Sequence, residues 1–198
     1  MKILNKIAYS ILSAVYQPFW VTVIFSFLFM FVFIYAKEHN YNAKDILKLW
    51  KEQFKKSVEF RNIFFLIFVW VMITLKPLLS SEIWFDPLEG VFNDWCIYEN
   101  GQLKVEMVEN SLLYFIFSVL LLKTYHYKWF ENKKLKLKYL EYKVGRVLLL
   151  QTITIEFCKV LLHLGTFRIS YIVYNVLSGL VGGLCYTMLK LGSNSEKI

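Results

Sequence analysis

The stretch 152–165, TITIEFCKVLLHLG, is apolar enough for a membrane helix, yet it carries Glu156, Lys159 and His163. Spaced i, i+3 and i+7, the three share one face of a helix. A charged side chain near a bilayer centre is costly, so such residues face a bundle interior or a wet cavity and pair with one another. Glu156 and Lys159 stand at the right spacing to pair, which lowers the cost of burying either. Glu156 and His163 as an acid–base couple would be separated by about 10 Å along the axis, beyond direct proton transfer. The sequence offers no nucleophile motif, no metal-type spacing of His and Cys, and no glycine-rich phosphate loop. These residue types therefore point to charge pairing and polar recognition. No catalysis, metal or cofactor is expected.

The elements that must position these residues are membrane helices. Of the 198 residues, 57% are apolar and 19% aromatic, more than a soluble domain of this size can bury. The apolar residues fall in long runs at about 10–36, 62–80, 108–124, 146–164 and 171–191. A helix crossing the ~30 Å hydrocarbon core needs roughly 20 such residues. The fold expected is all-α: a single membrane domain over 1–198 built as a bundle of five transmembrane helices. The charged N-terminus followed by so long a run reads as a retained first span rather than a cleaved signal. Cys96, Cys158 and Cys185 have no metal-type spacing, and the last two read as small packing residues.

Charge sets the orientation. The net charge of +8 is concentrated in two loops, 37–61 and 123–146, which should face the cytoplasm. It does not signal nucleic-acid binding. The loop between the second and third runs holds Glu82, Asp86, Glu89, Asp94, Glu99, Glu106 and Glu109 against Lys104 alone, and should lie outside. The N-terminus is then outside and the C-terminus cytoplasmic. In the first basic loop, Ile46, Leu47, Trp50, Phe54 and Val58 recur at helical spacing opposite a lysine face. This helix either lies on anionic lipid, with Lys48, Trp50, Lys51 and Lys55 at the membrane surface, or packs on the cytoplasmic ends of the bundle.

Polar residues from four runs reach similar depth in the outer half of the bilayer. Glu156, about eight residues or roughly 12 Å from its outer boundary, is joined by Lys76, Glu109, Asn110, Arg168 and Asn175. Two readings are open. They form interhelical hydrogen bonds that lock the bundle, or they line a polar pocket open to the outside or to the outer leaflet.

The C-terminal stretch TIEFCKVLLHLGTFRISYIVYNVLSGLVGG resembles the VanZ-like family of membrane proteins. Ile155–Glu156, Gly165, Phe167, Asn175 and Gly182 match its pattern, and Glu109–Asn110 fit the Glu-Asn that precedes its third helix. The resemblance covers about residues 75–190. The chain departs from the family where Lys159 replaces a Gln, Ser170–Tyr171 an acidic pair, Ile116 a Pro and Ser178 a Gly, and His163 stands near a common Arg. The resemblance implies a multi-pass protein of a bacterial, Gram-positive plasma membrane, of a family linked to resistance to the glycopeptide teicoplanin.

The function expected from these readings is a non-enzymatic envelope protein. Its outward pocket would be formed by Glu109, Asn110, Glu156, Lys159, His163, Arg168 and Asn175. Its partners would be membrane lipid and a lipid-linked cell-wall precursor or lipoglycopeptide. A small transporter or channel component, with Glu156–Lys159 as a gate, is the alternative; the absence of an internal repeat weighs against it. An intramembrane enzyme is the third reading.

Overall fold

The computed structural model describes residues 2–37, 42–78, 85–93, 95–96, 98–99, 102–103, 105–130 and 137–195. Lys133, Lys134 and Lys136 of the second basic loop, and Glu82, Asp94 and Lys104 of the acidic one, lie outside these residues. The described chain is helical: α1 (Lys2–Lys37), α2 (Ala43–Lys56), α3 (Val58–Leu78), α4 (Val105–Phe130), α5 (Leu137–Leu161) and α6 (Ile169–Ser195). One small feature stands beside the helices. Strands β1 (Tyr98–Glu99) and β2 (Gln102–Leu103) pair antiparallel, Tyr98 with Leu103 and Glu99 with Gln102. Residues 100 and 101, which come between them in the sequence, lie outside the described residues.

Among the described residues four segments are long and apolar enough to cross a membrane: Pro18–Tyr35, Val58–Pro77, Glu106–Tyr125 and Ile169–Lys190. The fourth expected span, in α5, is not in this set. Its 25 residues reach about 37 Å, which suffices for length, but Arg146, Glu156 and Lys159 reduce its apolarity.

The core explains which faces meet. On α1, Pro18, Thr22, Ser26, Met30 and Ile34 are buried at a four-residue spacing, which makes one continuous ridge along the helix. The opposite face exposes Trp20, Phe25, Phe29 and Phe33. A helix apolar on its outer face is suited to lipid. The main core joins Leu66, Val69 and Ile73 of α3 to Tyr114, Phe117, Leu121 and Leu122 of α4, and to Val144 and Leu148 of α5.

Helix α6 lies closest to α4. A Cβ on Gly182 would stand 2.5 Å from the carbonyl oxygen of Phe115, so only glycine permits this approach. One turn earlier the Ser178 hydroxyl donates to the carbonyl of Ser111. The two backbones are thus tied side by side through the bundle.

Helix α2 packs on α1 and α3. Ile46 is fully buried, and Trp50 and Phe54 pack with Met30 and Ile34 of α1 and Phe60 and Phe64 of α3. The Trp50 and Phe54 rings stack at 5.1 Å and 11°. The indole nitrogen of Trp50 is buried and has no hydrogen-bond partner. The Trp50 ring is thus part of an aromatic cluster shared by α1, α2 and α3. Lys48, Lys51 and Lys55 remain exposed on the other face. Ser57 forms the corner, its Oγ accepting from the Phe60 amide at 3.2 Å. The Arg61 guanidinium donates to the carbonyl of Lys55 at 3.1 Å and so covers the end of α2.

Gly182→Ala should lower stability by about 1–3 kcal/mol, since the added methyl meets backbone that cannot move aside. Gly145→Ala, whose Cβ would lie 3.4 Å from a flexible Leu180 methyl, should leave stability nearly unchanged. Thermal unfolding of the detergent-solubilised variants measures both.

Candidate polar cavity

The site lies at the end of the bundle where the segment of described residues 85–93 and 95–96 meets the α5–α6 connection. That segment is shaped by local bonds. The Leu88 amide donates to the Asp86 carboxylate at 3.2 Å, and Gly90 takes a left-handed φ of 72°. It then braces the start of α6. The Phe167 amide donates to the Pro87 carbonyl at 2.8 Å, and the Ile169 amide to the Val91 carbonyl at 3.2 Å. The Ser170 hydroxyl reaches the Asn93 carbonyl at 3.1 Å, and the Tyr174 hydroxyl the Trp95 carbonyl. Amides at a helix start have no partner within the helix, so this segment supplies what α6 lacks.

Helix α5 ends beside it in a specific way. The Leu164 amide bonds to the Lys159 carbonyl at 2.9 Å, and the His163 amide to the Val160 carbonyl at 3.2 Å. His163 has φ 54°. This is a Schellman cap with histidine at the left-handed position usually held by glycine. The consequence corrects a sequence expectation. The helix stops before His163, which therefore does not continue the face of Glu156 and Lys159. Its side chain is exposed and does not line the cavity.

Glu156 and Lys159 are both buried. The Lys159 ammonium donates to both carboxylate oxygens of Glu156, at 2.9 and 3.1 Å. The Arg168 amide, just before α6, donates to the same carboxylate at 3.2 Å. The carboxylate thus sits at a helix N-terminus, where the macrodipole favours negative charge. The ammonium lies 5.4 Å from the Tyr171 ring centre, within cation–π range. Gly165 leaves room for the lysine stem, since a Cβ there would come within 3.0 Å of Lys159 Cε.

A second pair stands across the site. The Lys76 ammonium donates to Glu109 Oε2 and to Asn110 Oδ1, each at 2.8 Å. Arg168 donates through Nε to Thr166 Oγ1 at 2.8 Å and lies 5.5 Å from the Tyr171 ring centre. The Tyr171 hydroxyl donates to the Glu106 carboxylate at 3.3 Å.

Between these groups is a cavity of about 210 Å³. Of the residues expected to form a pocket, Asn110, Glu156, Lys159, Arg168 and Asn175 line it. Glu109 is buried behind Lys76 rather than lining the space, and Lys76 takes its place. The sequence reading missed Tyr114 and Thr152, which form the floor one turn from Asn110 and Glu156. Helical spacing of four residues was the signal for both. Tyr171, met in the sequence only as a replacement for an acidic residue, contributes the ring and hydroxyl that join Arg168 to Glu106. No cluster of three or more His, Cys, Asp or Glu able to hold a metal occurs among the described residues. The arrangement can receive a polar ligand through charged and hydroxyl groups already held in place.

Glu156→Ala should strand the buried Lys159 ammonium and cost about 3–5 kcal/mol. Glu156→Ala/Lys159→Ala should recover much of the folded yield. Monodisperse yield after extraction, with thermal unfolding, reads both. A single variant as stable as the parent would show that the pair does not hold this end of the bundle.

Compared with family models, curated proteins and solved structures, the chain matches none.

Proposed function

We propose that this is a five-span, VanZ-like protein of a bacterial plasma membrane, with its N-terminus outside and its C-terminus cytoplasmic. In this reading α5 is also a crossing, the fourth in chain order. Its buried charges are accommodated because Glu156 and Lys159 neutralise one another against α6. The lysine asymmetry of the loops supports the orientation. So do the exposed aromatic residues Phe85, Phe92 and Trp95 of the acidic segment, suited to the headgroup level of an outer leaflet.

The protein acts without catalysis. Its outward cavity engages a lipid or cell-wall-related ligand, and through it contributes to tolerance of teicoplanin. The observation that carries this reading is the cavity itself. Three basic side chains, Lys76, Lys159 and Arg168, converge on it from three parts of the chain, together with amide and hydroxyl groups. A purely structural polar lock would close such a space, because an open cavity forgoes the packing contacts that stabilise a bundle. A transporter reading has no comparable observation in its favour.

Two measurements test the proposal. A cysteine at Asn93, in a variant lacking Cys96, should react with an impermeant thiol reagent added outside, and a cysteine at Asn42 should not. The reverse pattern would remove the outward cavity. Deletion of the gene should lower the inhibitory concentration of teicoplanin more than that of vancomycin, with recovery by the parent gene. Equal susceptibility of deletion and parent strains to both would remove the resistance role.

A further inference from the structure

Helix α2 has one face inside the protein and another that is exposed. Ile46, Trp50 and Phe54, each four residues from the next, form the packed stripe against α1 and α3. Their partners Met30 and Ile34 belong to the last turns of the apolar segment Pro18–Tyr35, and Phe60 and Phe64 to the first turns of Val58–Pro77. A helix packed across that end of two apolar segments stands where hydrocarbon gives way to water. It is not free to turn about its axis. The Trp50 ring is held by the rings of Phe27 at 4.8 Å, Phe64 at 6.0 Å and Phe60 at 6.1 Å.

The exposed circumference is ordered. At 3.6 residues per turn, Lys44, Lys48, Lys51 and Lys55 fall on one stripe directly opposite Ile46, and all four are exposed. None of them makes an ion pair among the described residues. On one side of the stripe is Leu47, 46% exposed. On the other are Asp45, Glu52 and Lys56, of which the last two approach to 4.0 Å. The helix carries five lysines against two acids, and both acids are kept off the lysine stripe. Round the helix, apolar, basic and acidic groups follow in the order in which hydrocarbon, phosphate and water are met at a leaflet surface.

We infer that α2 is a docking surface for anionic lipid, its lysine stripe taking the phosphate groups of acidic phospholipids in the leaflet at the α1–α3 corner. This surface is at the opposite end of α3 from Lys76 and stands independently of what the polar cavity binds. A lysine near an anionic leaflet strengthens attraction roughly fivefold. Its stem can lie along apolar surface while the ammonium reaches the phosphates. The packed face fixes the direction of the stripe, so little is left to order when a lipid arrives. An acidic protein segment would meet the same charges, but the exposed Leu47 beside them, next to two membrane segments, favours lipid.

The test uses the full chain in phosphatidylcholine vesicles. A variant lacking the three native cysteines carries Leu47→Cys labelled with nitrobenzoxadiazole. Its quenching is compared for phosphatidylglycerol and phosphatidylcholine, each bearing a nitroxide on the acyl chain and each present as a minor component. Phosphatidylglycerol should be enriched beside position 47 by about fivefold, the share of a single lysine, and salt should reduce the preference. Lys44→Gln/Lys48→Gln/Lys51→Gln/Lys55→Gln, exposed changes that keep helix propensity, should remove it. Lys48→Gln/Lys51→Gln should give a smaller loss, and serves if the fourfold variant is poorly extracted. Lys56→Gln, on the acidic flank, should leave the preference in place. Equal quenching by the two lipids would overturn the inference and leave the stripe to an acidic protein partner. A preference that survives the lysine substitutions would overturn it as well, because other basic residues would then be gathering the lipid.

Discussion

The structure depends on a buried carboxylate that cannot stand alone. Glu156 is withdrawn from water near the end of α5, and three hydrogen bonds from two groups meet it: two from the Lys159 ammonium and one from the Arg168 amide. Each of these fixes something further. The lysine bond holds the last turn of α5 against its own Schellman cap. The amide bond sets where α6 begins. Since α6 is locked to α4 at Gly182 and Ser178, the position of the carboxylate is passed to a third helix. A neutral side chain at 156 would release the lysine and the α6 amide together.

Residues 85–93 and 95–96 complete this arrangement from the other side. Their carbonyl groups accept from the Phe167 and Ile169 amides and from the Ser170 and Tyr174 side chains. The start of α6 is therefore held between a loop and a carboxylate, with no need for a side-chain cap of its own. Tyr171 then projects to where Lys159, Arg168 and Glu106 meet. Ionic groups held in this way are oriented before any ligand arrives, which reduces the ordering cost of binding.

Much of this was legible in the sequence, and the misses have physical causes. The length and apolarity of the runs gave the helices, because hydrophobic run length is a strong signal. The depth of Lys76, Asn110, Glu156 and Asn175 gave their convergence. The i, i+3 spacing gave the Glu156–Lys159 pair. His163 was misplaced because periodicity assumes that a helix continues, and here a left-handed residue ends it first. The amphipathic pattern of α2 reports that one face is apolar, not what covers it. The cover is the α1–α3 aromatic cluster, made from residues distant in the sequence. Tyr171 was read as a loss because the family pattern has an acid there; only the fold brings its hydroxyl to Glu106, an acid from another helix.

We propose that the charged side chains at the end of the bundle nearest the acidic loop surround water that is continuous with the outside. The most direct test is thiol accessibility at Leu113, which lines the cavity, compared with Ile153, which is 43% exposed and faces away from it. Each position is replaced by cysteine in a variant lacking the three native cysteines, in intact cells. An impermeant methanethiosulfonate reagent added outside should modify the cysteine at 113 and spare the one at 153. A cysteine at 113 that stays unmodified from outside, or reacts only after the cytoplasmic face is exposed, would contradict the account.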